Sequence, residues 1–163
     1  RFDDITVAAP PAGPATPTAP AVLAIGISSP NQFDEPSGTT TRFTFSVVRT
    51  GNTDGVSSAT WQVIGTGPHP APASAFVGGS LPSGTVEFAA GETSKDIAVD
   101  VVGSDSVMPD EGFVVALSNP SSGTAIGTAS ASATILNANE QFSIAALSAE
   151  KEPGAPGATT PFT

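Results

Sequence analysis

Residues 78–136 read GGSLPSGTVEFAAGETSKDIAVDVVGSDSVMPDEGFVVALSNPSSGTAIGTASASATIL. Apolar side chains recur there at every second position in short runs. Val86 and Phe88 form one set, Ile97, Val99 and Val101 the next, then Phe113, Val115 and Leu117, and finally Ala129, Ala131, Ala133 and Ile135. A period of two is the signature of strands with one buried face. Gly, Pro, Ser and acidic residues separate the runs, as turns require.

The same pattern extends upstream. Strands are expected over 22–29, with Ile25 and Ile27 on one face, and over 41–49, with Phe43, Phe45 and Val47 inward and Arg42, Thr44 and Ser46 outward. A third covers 57–65, with Ala59, Trp61 and Val63 on one face. The remaining four cover 84–88, 94–102, 112–119 and 127–136. No segment carries a helical period. About seven strands with strict alternation predict an all-β, immunoglobulin-like sandwich of two antiparallel sheets. The last strand turns small residues, Ala129, Ala131 and Ala133, inward, so its facing strand must supply bulk, with Phe43, Phe45 and Trp61 as candidates.

Composition bounds what such a sandwich does. The chain has 163 residues, enough for one domain with a core. Its 15 acidic and 5 basic residues give a net charge of −10. That field repels phosphate backbones and excludes direct nucleic-acid binding by this segment, while attracting divalent cations diffusely. The absence of cysteine removes disulfides, thiolate metal sites and thiol catalysis. No apolar run approaches the ~18 residues of a membrane span, so no membrane insertion is expected. No signal peptide is visible, and Arg1 reads as a position inside a longer polypeptide.

Residues 1–8 (RFDDITVA) read as the end of a preceding domain, and 9–21 (APPAGPATPTAPA) as a Pro/Ala-rich linker in polyproline II conformation. The sandwich occupies 22–140. Residues 141–163 repeat its beginning: Leu23 falls on Phe142, Ile25 on Ile144, Ser29 on Ser148 and Phe43 on Phe162. They are expected to be the first strands of a second, truncated copy, and an unpaired strand donor for an exposed sheet edge of this or a neighbouring molecule.

The order of strands and turns, the segment Glu35-Pro36-Ser37-Gly38-Thr39-Thr40-Thr41, and the Glu-Gly-Phe…Leu-Ser-Asn-Pro run over 111–120 resemble the Calx-beta domain family. These are calcium-associated β-sandwich repeats of bacterial surface and secreted proteins and of sodium/calcium exchangers. The resemblance implies a calcium site at one pole of the sandwich. On the family's acidic positions this chain carries Glu35, with Asp34 beside it, and Asp110 and Glu111. Asp105 follows one place after the family's paired acids, which fall on Gly103 and Ser104. Two further positions are Ala75 and Met108, and the closing Asp run has become Asn137-Ala138-Asn139, followed by Glu140. The implied metal ligands are therefore Glu35, Asp105, Asp110, Glu111 and Glu140, with Asn137 and Asn139 as sources of neutral amide oxygens. Calcium sites want six to eight oxygens and follow ligand charge, so calcium here is expected to be weak or absent.

Other chemistry finds little support. His69 is the single histidine and sits in the run Gly67-Pro68-His69-Pro70. No triad can be assembled, and Ser80 and Ser83 lack a nucleophile elbow. Trp61 is in phase with Ala59 and Val63, which makes it a core residue rather than a sugar platform. The chain reads as a non-catalytic, adhesion-type structural repeat of a multidomain extracellular or cell-surface bacterial protein. Its expected partners are neighbouring domains of the same polypeptide. The alternative is an accessory module of a secreted hydrolase, of nuclease or phosphoesterase type, whose catalytic domain lies elsewhere.

Overall fold

Arg42, Thr44 and Ser46 alternate with Phe43, Phe45 and Val47 along the longest strand of the computed structural model, which describes residues 19–139. In chain order the strands are β1 (Ala21–Ile27), β2 (Asn31–Phe33), β3 (Thr40–Thr50), β4 (Ser57–Thr66), β5 (Ser83–Phe88), β6 (Ser94–Val102), β7 (Glu111–Ser118), β8 (Thr124–Thr128) and β9 (Ser130–Leu136). A single 3-10 turn, Ala73–Ala75, interrupts the β4–β5 connection. The expected end of a preceding domain, most of the linker, Glu140 and the second copy at 141–163 lie outside the described residues. Among the described residues no helix is long and apolar enough to cross a membrane.

The strands form two stacked sheets, ordered β6-β3-β1-β8 and β2-β9-β7-β4-β5. The all-β sandwich is as expected, but with nine strands in place of about seven. The last expected strand is broken in two, β8 and β9, which lie in different sheets, and a short extra strand, β2, follows the first expected one and joins the opposite sheet from β1. Ser28, Ser29 and Pro30 separate β1 from β2, and Ala129 separates β8 from β9. Ala129 is therefore exposed rather than inward, with its carbonyl accepting from the Leu117 amide. Most pairings are antiparallel, but β1–β8 and β2–β9 are parallel. The first and last strands run in the same direction, and they cross from one sheet to the other side by side.

Phe113 on β7 is the centre of the core. Its ring meets Phe43 at 5.2 Å, Phe45 at 6.1 Å and Phe76 at 5.3 Å between centroids, all edge to face. Such contacts place the positive ring edge on the negative face of a neighbour. Phe113 sits beside Ala133 of β9, and Val115 beside Ala131. The small residues of the last strand thus accommodate the aromatic cluster. Phe76 comes from the β4–β5 connection, which is pinned to β6 by the Val77 amide donating to the Asp100 carbonyl. Trp61 is half-buried against the core, with its indole packed over Gly84, where a side chain would crowd it.

β1 followed by β2, and β8 followed by β9, each run together from one pole of the sandwich to the other. Ala21 enters beside Gly123 and the β3–β4 turn, donating its amide to the Gly123 carbonyl. Leu136 leaves at the opposite end, where its carbonyl accepts from the Asp34 amide. We call these the entry pole and the exit pole.

Candidate functional site at the exit pole

Three segments converge at the exit pole: residues 34–39 after β2, residues 103–110 between β6 and β7, and residues 137–139 after β9. Backbone bonds set their spacing. Gly103 donates to the Thr39 carbonyl and Ser104 to the Glu35 carbonyl. Gly103 holds a place where no side chain fits, because a Cβ there would overlap the carbonyl oxygens of Pro36 and Glu35. An acid at this position would require the 34–37 segment to move outward.

Asp34, not Glu35, is the buried carboxylate. Asp34 is 4% exposed. Its Oδ1 accepts from the Ala138 amide at 2.7 Å and its Oδ2 from Asn137 Nδ2 at 3.4 Å. Glu35 is exposed, and its contribution is the carbonyl that receives Ser104. Asp105 Oδ1 accepts from the Ser37 amide at 3.0 Å, and Asp110 Oδ1 from the Asn137 amide at 3.0 Å. Both acids are exposed and act as fasteners between segments.

Glu111 opens β7 and lines a cavity of about 250 Å³ with Asp34, Gly103, Ser104, Met108 and Ile135. Burial raises its carboxyl above the ordinary glutamate range, the Asp34 charge adds to the rise, and His69 opposes it. The His69 imidazole is exposed, while its carbonyl holds the Gly112 amide at the start of β7.

Asn137 does not offer its amide oxygen to this space, contrary to the expectation above. Asn137 Nδ2 donates to the Ser106 carbonyl at 2.9 Å as well as to Asp34, while its Oδ1 accepts from the Met108 amide at 3.3 Å. Asn139 Nδ2 donates to the Ser104 carbonyl at 2.6 Å. The partners dictate these orientations. A flipped Asn137 would set its oxygen against a carboxylate and a carbonyl and its NH2 against an N–H.

This donor set does not fit a divalent cation. Such an ion needs converging oxygens, yet N–H groups point at Asp34 and at the loop carbonyls. Among the described residues no three His, Cys, Asp or Glu side chains cluster in a way that would hold a metal, and no buried side-chain nitrogen or oxygen lacks a hydrogen-bond partner. Glu35, Asp105, Asp110 and Glu111 share the pole without converging on one point, and Glu140 lies outside the described residues.

Sequence reasoning passed over two residues. Asp34 was overshadowed by its neighbour Glu35. Arg49 was legible from its phase, since it lies two places beyond Val47 on the inward face of β3. It is 1% exposed at the entry pole. Its guanidinium donates to the carbonyls of Asn52 at 3.3 Å, Phe88 at 3.5 Å, Ala89 at 3.2 Å and Gly55 at 2.8 Å, and lies 5.9 Å from the Phe88 ring centroid. A fixed side-chain cation thus gathers two turns at that end.

No family model matches the sequence, and no curated protein matches it. Solved structures do. The apo-form Calx CBD1 domain aligns with TM-score 0.59 at 20% identity, over 72% of this chain and 97% of that one. The Calx CBD2 domain aligns with TM-score 0.55 at 16% identity, over 73% and 88%. The calcium binding domain CBD12 of CALX1.1 aligns with TM-score 0.52 at 20% identity, over 69% of this chain and 44% of that one. The residues that resemble the Calx-beta family and the coordinates agree: this chain has the β-sandwich fold of the Calx-beta domains.

Proposed function

We propose that this chain is a non-catalytic structural module set in series within a longer extracellular or cell-surface polypeptide, of the kind that gives adhesins their reach. The observation that carries the reading is the placement of Ala21 and Leu136 at opposite poles, bonded to Gly123 and Asp34 respectively. Polypeptide entering at one end and leaving at the other makes each such unit add its length to the string. The acidic surface and the exposed, unoriented His69 support a non-catalytic role.

Calcium, for which the similar CBD12 calcium binding domain is named, binds this module weakly or not at all. The exposed carboxylates of Glu35, Asp105 and Asp110 and the half-buried one of Glu111 do not converge, which supports a weak or absent site. A thermal melt in millimolar calcium against EDTA tests this part. A site filled at a hundredfold over its dissociation constant adds about 2.7 kcal/mol, so a large shift at micromolar calcium contradicts it. The serial arrangement is tested by small-angle scattering on two sandwiches joined end to end. Their maximum dimension should be additive, and a compact side-by-side pair defeats the reading.

A further inference from the structure

We propose that the sandwich bears tension along the polypeptide, with its paired first and last strands acting as a mechanical clamp. This rests on the serial reading above and adds a physical task to it. Tension applied through residues 19 and 139 acts on β1 at the entry pole and on β9 at the exit pole, along the strand directions. β1 is joined to β8 in parallel through four register pairs and to β3 antiparallel through six. β2 is joined to β9 in parallel through three.

Because the first and last strands run the same way and are pulled from opposite ends, their ladders are loaded in shear. Sliding one past the other stretches all the bonds of a ladder together. Terminal strands paired antiparallel would have their pulled ends at one pole, and would open one bond at a time.

Both ends of this ladder are fastened. At the entry pole the Ala21 amide is bonded to Gly123. At the exit pole the Asp34 amide is bonded to the Leu136 carbonyl, and its carboxylate to the Ala138 amide. Slippage of β1 would also draw Leu23 and Ile25 out of the core, where they are 0% and 4% exposed. Resistance to force is a property of the unfolding barrier rather than of equilibrium stability, and a sheared ladder places its strength there.

The test is single-molecule pulling of the full chain by handles at its two ends. A second axis uses the variant Val56→Cys/Ala89→Cys, whose handles attach uniquely because the chain has no cysteine. Both positions are exposed, and they flank the Ser57–Phe88 pair, so this axis peels β5 from β4. At equal loading rate the end-to-end axis should unfold at several-fold higher force, in one step. Equal forces on the two axes, or early low-force release of β1, overturns the clamp. Either result leaves the serial reading standing, because the scattering dimension tests that separately.

Discussion

Asn137 bridges the 103–110 segment to Asp34 at the exit pole: its side-chain amide reaches the buried carboxylate at 3.4 Å and the Ser106 carbonyl at 2.9 Å. The same bridge could be made by a cation accepting oxygens from both sides. Here it is made by a neutral donor that the chain carries itself. Replacing that NH2 by a second carboxylate is the direct probe. Asn137→Asp should lower stability in EDTA by about 1 kcal/mol or more, the cost of setting a half-buried acceptor against the buried Asp34 carboxylate. A urea melt unchanged from the parent would show that the bridge contributes nothing.

Gly103 is held by close approach of the 34–37 segment rather than by turn geometry. Gly103→Asp would place an acid where the Calx-beta pattern has one. Its Cβ would collide with the carbonyl oxygens of Pro36 and Glu35. We expect destabilisation of roughly 2 kcal/mol or more, in the range of overpacked sites, and no rescue by calcium. A stable variant with a calcium-dependent melting temperature would contradict the geometry.

Arg49 draws together carbonyls from the turn after β3 and from the end of β5. Arg49→Met keeps much of the volume and removes all the donors. Stability should fall by about 2–5 kcal/mol, because several carbonyls lose their partner at once. Arg49→Lys should recover only part of the loss, since a point ammonium cannot span the same fork. Denaturant melts of the two variants decide it.

Glu111 titrates against stability in a defined direction. Its carboxyl is raised in the folded state by burial and by Asp34. Its favourable contribution is therefore complete below the ordinary glutamate value of about 4.3, and is lost as pH rises through the higher folded value. Glu111→Gln should melt above the parent at pH 7, with the difference shrinking to nothing as pH falls to about 4. A constant offset at every pH would assign the effect to packing instead.

The alternation of Phe43, Phe45, Val47, Ile97, Val99, Val101, Phe113 and Val115 made the sheets legible, because period two follows from the local geometry of an extended backbone. Phe76 gave no such signal. It lies in a turn-rich connection and enters the core only because that connection bridges to β6 at Val101. At the pole, the acids were visible as residue types, but their partners were not. Whether Asp34 or Glu35 points inward depends on where β2 ends, and β2 is a strand only because β9 lies beside it.

By itself, the chain's residue order determined a two-layer β-fold, the inward set on most strands and a family resemblance with depleted acids, since these depend on neighbours along the backbone. Tertiary structure decided what the pole does. Hydrogen bonds between residues far apart in sequence turned Asn137 and Asn139 into donors, gave Asn137 to Asp34 and Asn139 to the Ser104 carbonyl, and set the first and last strands in parallel. Those choices follow from distances that no local pattern encodes.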